Sequence, residues 1–140
     1  METKFFFCKH CGNVVVKVVD SGVTPLCCGE EMIELVPKTV DAMVEKHLPA
    51  IEHLDGGSLR VKVGTEPHPM TPEHHIDFLF VETENGNIIR YLNPTGKPLA
   101  DICICNEKPV AVYAFCNLHG LWKLDLRGKM DAQKCSRCRC

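Results

Sequence analysis

The stretch Phe5-Phe6-Phe7-Cys8-Lys9-His10-Cys11-Gly12 joins an aromatic run to a Cys-x2-Cys turn. A β-branched run over Val14–Val19, the turn Asp20-Ser21-Gly22 and the pair Cys27-Cys28 follow it. The turn inside Cys-x2-Cys brings both sulfurs to one side, and glycine suits a turn whose N–H groups face sulfur. A segment of about 40 residues or fewer rarely folds without a metal, a disulfide or a partner. We therefore predict a metal-stapled domain over residues 1–37.

The four predicted ligands of this domain are Cys8, Cys11, Cys27 and Cys28. A tetrahedral set of four thiolates suits either zinc or iron, so a purely structural zinc knuckle stays open as an alternative. The adjacent pair Cys27-Cys28 distinguishes the segment from zinc ribbons, which mostly use Cys-x2-Cys on both sides. His10 is interpreted as a surface residue between ligands.

The overall composition limits the function classes. The chain has 140 residues, ten Cys, seven His, 45% hydrophobic residues and a formal net charge of −2. This composition excludes wholesale disorder, and the charge argues against a nucleic-acid partner. No apolar run approaches the roughly 18 residues of a membrane span, and the N-terminus has no signal-peptide pattern. We predict a cytoplasmic protein whose cysteines are metal ligands or redox groups, with no membrane partner.

Short β-like runs dominate the next segment, for which we predict a domain over residues 38–126. Turn signals separate these runs, and no long amphipathic helix appears, so the segment is predicted to be an all-β sandwich or barrel. The runs are Ile51–Leu54, Leu59–Val63, Ile76–Glu82, Ile88–Tyr91, Val110–Cys116 and Trp122–Leu126. A basic, Cys-rich tail follows over residues 127–140.

Histidine motifs mark this second domain. They are Glu45-Lys46-His47-Leu48-Pro49, Glu66-Pro67-His68-Pro69-Met70, Glu73-His74-His75 and Cys116-Asn117-Leu118-His119-Gly120. The prolines on both sides of His68 fix its backbone and help to hold one imidazole orientation. Cys-x2-His places a thiolate and an imidazole on one turn, a common spacing in metal sites.

These motifs resemble a known family. The N-terminal cysteines resemble desulforedoxin, and the histidine motifs resemble the superoxide reductase domain. Together, over about residues 4–124, they are similar to the desulfoferrodoxin family of two-iron superoxide reductases. The resemblance implies an all-β chain in which a desulforedoxin-like domain precedes an immunoglobulin-like β-sandwich, and it implies a homodimer.

The resemblance also implies the ligands of two iron ions. One iron would be held by the four N-terminal cysteines. The catalytic iron would be held by His47, His68, His74 and His119, with Cys116 as the axial thiolate. His74 is preferred over its neighbour because successive strand residues point to opposite faces and the family spacing selects it. His75 and His53 would then be bystanders.

The implied activity is the one-electron reduction of superoxide to hydrogen peroxide, in defence against oxidative stress. Rubredoxin or a similar small redox protein would donate the electron. Lys46 would attract superoxide, and Glu45 would close onto the open iron position. Read without the family, the two residues are an exposed ion pair. A non-enzymatic electron carrier and a zinc-stabilised interaction protein are the competing classes.

Five cysteines lie outside the implied iron sites: Cys103, Cys105, Cys135, Cys138 and Cys140. In one interpretation Cys103 and Cys105 are small apolar fillers of a strand and the tail is a mobile basic segment. In the other, the tail thiols pair with Cys103 and Cys105 in a redox or metal site, where nearby Arg and Lys would make them reactive.

Overall fold

The computed structural model describes residues 2–40, 47–104 and 106–129. By its internal contacts the chain divides into two compact units, Met1–Val36 and Pro37–Cys140. Every regular element of the described residues is a β-strand, so the all-β prediction is confirmed. None of those residues belongs to a helix long and apolar enough to cross a membrane.

The first unit contains five short strands. They are β1 (Phe5–Phe7), β2 (Val14–Val16), β3 (Leu26–Cys27), β4 (Glu30–Glu31) and β5 (Ile33–Leu35). One antiparallel sheet has the order β2-β1-β5, and β3 pairs with β4 as a separate hairpin. The β-branched run predicted over Val14–Val19 is a strand only to Val16, because the chain turns at Asp20 and Gly22.

The core of this unit is small. Phe6, Cys8 and Met32 are buried together, and Cys27 packs against them. Burying a side chain of this kind contributes about 1.5–3 kcal/mol. Ordering the backbone costs about 1–2 kcal/mol for every residue. These side chains, even together with the buried Phe5, cannot offset that cost over a whole unit, so a metal held by the cysteines would supply much of its stability.

The second unit contains seven strands. They are β6 (Pro49–His53), β7 (Ser58–Val63), β8 (Ile76–Thr83), β9 (Asn87–Tyr91), β10 (Leu99–Cys103), β11 (Pro109–Cys116) and β12 (Gly120–Asp125). They form two antiparallel sheets, ordered β10-β7-β6 and β12-β11-β8-β9. Two such sheets around one core make the predicted β-sandwich.

Burial follows the position of each strand in its sheet. On β7, Leu59, Val61 and Val63 are buried while Lys62 between them is exposed, the period of two expected of a half-buried strand. β11 lies between β8 and β12 and is buried along most of its length. Its continuous apolar sequence therefore reflects burial on both faces.

The pairing of β8 with β11 is irregular at the end that carries Cys116. Phe115 pairs with Phe78, but Cys116 pairs with Ile76, so the register shifts by one residue at Asp77. An extra residue of this kind bends a strand and re-aims the side chains beside it, and it is common next to functional sites. Cys116 is fully buried and belongs to the sandwich core.

Candidate metal centres

The four N-terminal cysteines converge on one point. Their sulfur atoms all lie within 4.8 Å of one another. The Sγ of Cys27 lies 3.6 Å from that of Cys11 and 4.0 Å from that of Cys28. Metal–thiolate bonds of about 2.3 Å in a tetrahedron separate the sulfurs by about 3.8 Å. The residues present therefore fit a single tetrahedral metal ion.

A tight hairpin turn explains how adjacent cysteines reach the same ion. Cys28 and Gly29 form the two-residue loop between β3 and β4, with φ angles of 52° and 76°. Positive φ at both positions is the signature of a type I′ turn, which normally favours Asn or Gly at the first position. A cysteine there is conformationally costly, and such strain is typical of functional positions.

The other cysteine pair lies in a turn closed by its backbone. The N–H of Gly12 donates to the Cys8 carbonyl at 2.8 Å, and the N–H of Cys8 donates to the Asn13 carbonyl at 2.9 Å. Gly12 has a φ of 82°, which a larger residue would adopt only with strain. The Asn13 amide also donates to the Cys27 sulfur at 3.6 Å, so it orients a thiolate from outside the ligand set.

The pKa values of these thiols indicate that the four cysteines need a bound cation to be ionised together. Hydrogen bonding from the Cys11 backbone N–H lowers the pKa of Cys8 to about 6. Hydrogen bonds with the sulfurs of Cys11 and Cys8 raise the pKa of Cys28 to about 12. Four clustered thiols thus cannot all ionise at neutral pH by themselves, whereas a bound metal would displace the remaining protons.

The second convergence lies in the sandwich unit. Ligand atoms of His47, His74, Cys116 and His119 all lie within 4.8 Å of one another. His47 Nε2 is 3.0 Å from His119 Nδ1, which is 3.8 Å from the Cys116 sulfur. Two metal–imidazole bonds of about 2.1 Å at a right angle place their nitrogens about 3.0 Å apart. The donor set therefore fits one transition-metal ion held by imidazoles and a thiolate.

His68 lies against the same group. Its ring centroid is 4.7 Å from that of His47 and 4.7 Å from that of His74. The side chain is buried, and its Nδ1 donates to the Pro69 carbonyl at 2.8 Å. This hydrogen bond fixes the tautomer and leaves Nε2 as the nitrogen able to bind a metal. His68 itself is not among the ligand atoms that lie within 4.8 Å of one another; its ring lies beside that group.

Asn117 joins the two loops that carry His74 and Cys116. Its backbone N–H donates to the His75 carbonyl at 3.1 Å. Its side-chain oxygen accepts from the His75 N–H at 2.8 Å, and its amide nitrogen donates to the Glu73 carbonyl at 2.9 Å. The three hydrogen bonds fix the ligand loops relative to each other. The sequence offers a signal for this role only in the position of Asn117 between two ligands.

His75 has other partners. Its Nδ1 bonds with the Thr71 carbonyl and its Nε2 with the Asp77 carboxylate, both at 2.8 Å. Burial lowers the pKa of His75, but hydrogen bonds to Thr71 and Asp77 outweigh it, so the pKa lies above the usual value. Both ring nitrogens are therefore engaged away from the cluster, whereas its neighbour His74 offers a ring nitrogen to the cluster.

Trp122 packs against a ligand of this cluster, and Lys38 packs against Trp122. Neither was among the site residues predicted from the sequence. The Trp122 ring stacks on His47 with centroids 4.5 Å apart and planes 12° apart. The Lys38 ammonium lies 5.0 Å from the Trp122 centroid. The chain contains a single tryptophan, which was a possible signal, whereas nothing in the sequence distinguishes Lys38.

The remaining predicted residues are placed as follows. Glu45 and Lys46 lie outside the described residues. His10 is exposed and bonds with Glu30, and His53 is exposed at the end of β6; neither belongs to a described metal-ligand group.

Cys103 is disulfide-bonded. Cys8, Cys11, Cys27, Cys28 and Cys116 form no disulfide. The partner of Cys103 is thus none of these five. A disulfide-bonded Cys103 is not the simple apolar filler of the first interpretation, and pairing with the tail thiols stays a prediction because the partner lies outside the described residues.

The comparisons with known proteins accord with this geometry. The family model described as Desulfoferrodoxin matches residues 39–125, which carry the whole second cluster. A desulfoferrodoxin of Nitratidesulfovibrio vulgaris is 37% identical over 124 residues, covering 89% of this chain and 97% of its own. The chain belongs to the desulfoferrodoxin family. Its two donor sets, four cysteines and a histidine-cysteine group, match the two iron sites of that family.

Other relatives carry activity names. A superoxide reductase of Thermococcus kodakarensis is 36% identical over 109 residues, covering 66% of this chain and 95% of its own. The crystal structure of the superoxide reductase from Treponema pallidum superposes with a TM-score of 0.77 at 32% identity. That similarity covers 89% of this chain and 98% of the other. The desulfoferrodoxin fold therefore extends over both units.

Proposed function

We infer that this protein is a superoxide reductase, which reduces superoxide by one electron and two protons to hydrogen peroxide. The observation that carries this function is the convergence of His47, His74 and His119 on the Cys116 thiol, with the His68 ring alongside. Relatives named superoxide reductase, in sequence and in structure, support it.

We propose that both sites hold iron. The four N-terminal cysteines would hold the first iron, and the second would be held by the imidazoles of His47, His68, His74 and His119 and by the thiolate of Cys116. When bound in its ferrous form, the second iron supplies the electron that reduces superoxide. The distances between sulfur and nitrogen atoms given above support a transition metal in each site, and family membership favours iron over zinc.

The burial of the ligands indicates where substrate would approach. Cys116 and His47 are fully buried, whereas His74 and His119 are only partly buried. The thiolate is thus held in the core, where its charge would push electron density toward the metal. Superoxide and the protons it needs would arrive from the side that reaches water.

The two residues that precede His47 in sequence, Glu45 and Lys46, are proposed to act at this site. Lys46 would attract the superoxide anion and assist a fast encounter, since a cation near a reactive centre raises the association rate. Glu45 would supply a carboxylate ligand to the oxidised form of the metal centre. Their positions, one and two residues before a ligand, support both roles.

The four-cysteine iron is proposed as an electron relay from rubredoxin or a similar small redox protein. Its exposed cysteines, Cys11 and Cys28, support access for such a donor.

We also propose a homodimer. Large apolar side chains on the first unit are strongly exposed, including Val19 and Val36 at 82% each. A second copy of the chain would cover such surface.

The organisation and cellular role are proposals as well. The proposed domains are an iron domain over 1–37, a catalytic domain over 38–126 and a Cys-rich tail over 127–140. The proposed role is defence against oxidative stress in the cytoplasm. Exposed thiolate ligands, which a reducing compartment protects, support this location, and the disulfide of Cys103 would be a redox-active exception there.

Metal analysis with optical spectra and pulse radiolysis tests the function. The purified protein should contain iron, show separate visible bands for the two sites and consume superoxide. His119→Ala and Cys116→Ser should abolish the second band and the activity while the first band persists. His53→Ala is the matched control and should change neither. A colourless zinc protein would favour an interaction module, and iron without superoxide consumption would favour an electron carrier.

A further inference from the structure

We propose that Lys38 is a positioning residue of the histidine-cysteine metal centre, through its contacts with His119 and Trp122. The proposal rests on the proposed function in so far as that centre binds a metal. Lys38 lies in none of the sequence motifs that carry the ligands, and its effect would be on the geometry of two imidazoles rather than on superoxide itself.

The backbone of Lys38 is fixed to the strand that carries Trp122. Its N–H donates to the Leu121 carbonyl at 2.9 Å, and its carbonyl accepts from the Lys123 N–H at 2.9 Å. These bonds form a parallel bridge between Lys38 and Trp122 at the outer side of β12. A lysine on a free loop would lose much entropy on reaching a fixed target, but here the main chain is already ordered.

The side chain makes two contacts at the metal centre. The ammonium donates to the backbone carbonyl of His119 at 2.9 Å, and it lies 5.0 Å from the centroid of the Trp122 ring. The first contact is a charge-assisted hydrogen bond and the second is a cation–π interaction. Lys38 therefore holds the main chain of one ligand and one face of an aromatic ring.

Trp122 passes this constraint to a second ligand. The indole is buried and stacks on His47, with centroids 4.5 Å apart. Its N–H makes no hydrogen bond within the described residues, so stacking and the nearby ammonium set the plane of the ring. His47 Nε2 in turn lies 3.0 Å from His119 Nδ1. One lysine thus acts on both members of a neighbouring ligand pair.

Lys38 has two opposite effects on metal affinity, and the exposure of its ammonium determines which effect is larger. A cation repels a bound metal ion, which would weaken binding. The Lys38 ammonium is exposed, however, so water and salt screen this repulsion. Orientation of ligands from outside the ligand set is worth about tenfold or more in metal affinity. We therefore expect Lys38 to strengthen metal binding.

Chelator competition on the full-length holoprotein tests the proposal. Lys38→Met keeps an apolar stem without the charge or the donor, and Lys38→Arg keeps both. Lys97→Met, at another exposed lysine of the same unit, is the charge-matched control. The reduced protein is titrated with a ferrous chelator, and the iron left in each site is read from its own visible band. The fluorescence emission of Trp122, the single tryptophan of the chain, reports on the surroundings of the indole ring beside His47.

The expected result is an about tenfold lower iron affinity at the histidine-cysteine centre in Lys38→Met, with altered tryptophan emission. Lys38→Arg and Lys97→Met should resemble the parent protein, and the four-cysteine band should be retained in all variants. Equal or tighter iron binding in Lys38→Met, with an unchanged melting temperature of the metal-free protein, would overturn the proposal. These readouts need no turnover, so they stand apart from any failure to reduce superoxide.

Discussion

Asn117 is the residue whose replacement best tests how the metal-binding loops are held together. Its side chain accepts a hydrogen bond from the His75 N–H at 2.8 Å and donates one to the Glu73 carbonyl at 2.9 Å. Asn117→Ala removes both bonds, while the backbone bond from Asn117 to His75 is unaffected by the change of side chain. The variant therefore separates the contribution of the side chain from that of the main chain.

The magnitude follows from the exposure of these bonds. Both bonds lie at exposed positions, where water competes with them. A single hydrogen bond contributes about 0.5 to about 1.5 kcal/mol net, and the lower half of that range applies where water competes. Two bonds then give about 1–2 kcal/mol. Because the loops carry His74 and Cys116, this loss is expected in metal affinity, where about 1.4 kcal/mol corresponds to a factor of ten.

The assay compares Asn117→Ala and Asn117→Asp with Leu118→Ala, whose side chain is exposed and adjacent. Iron retained by the histidine-cysteine centre is followed by its visible band during chelator titration. We expect an about tenfold weaker affinity in Asn117→Ala. Asn117→Asp should lose at least as much, because a carboxylate oxygen then faces the Glu73 carbonyl. Affinities of both variants equal to that of Leu118→Ala would refute the reasoning.

Three further predictions concern the rest of the chain. Leu79→Ala, at a fully buried core position, should lower the free energy of unfolding by about 2–5 kcal/mol in urea denaturation, whereas Ile89→Ala at an exposed position should lose far less. Hydrogen bonds donated by Lys17, Lys4 and the Gly22 N–H hold the pKa of Asp20 well below its usual value, which stabilises the first unit above the unfolded-state pKa of about 4. Asp20→Asn should therefore have a lower urea midpoint than the parent at pH 7, and the difference should shrink as pH falls below about 4, when the unfolded and then the folded carboxyl becomes protonated. In native protein, Cys103 should react with iodoacetamide only after reduction, and non-reducing peptide maps should identify its partner; free labelling of Cys103 under oxidising conditions would contradict the disulfide.

The sequence was sufficient to predict the structural features that depend on residues close together in the chain. The β-like runs Leu59–Val63 and Val110–Cys116 predicted strands whose bounds differ by one residue from those observed. Cysteine spacing predicted the first cluster because a turn of two residues leaves few arrangements for the sulfurs. β10 was indicated only by a strand-like stretch around Cys103, since Leu99–Cys103 lacks a clear alternation.

The contacts around the second cluster could not be derived in this way. The ammonium of Lys38 reaches the carbonyl of His119 across 81 sequence positions, and only the pairing of strands brings them together. The same holds for the stacking of Trp122 on His47. A motif identifies the residues able to bind a metal, but the side chains that orient those ligands come from elements that the motif does not contain.

The burial of Cys116 constrains how this protein can change over evolutionary time. One sulfur atom fills space in the sandwich core and also faces the metal-ligand cluster. Core substitutions near that end of β11 would shift the Cys116 sulfur. Changes in packing there would therefore lower the activity. At the opposite end of the strand, near Pro109, packing can vary without that penalty. Tolerance to mutation should therefore fall along β11 from Pro109 to Cys116, and a deep mutational scan under superoxide stress would reveal that gradient.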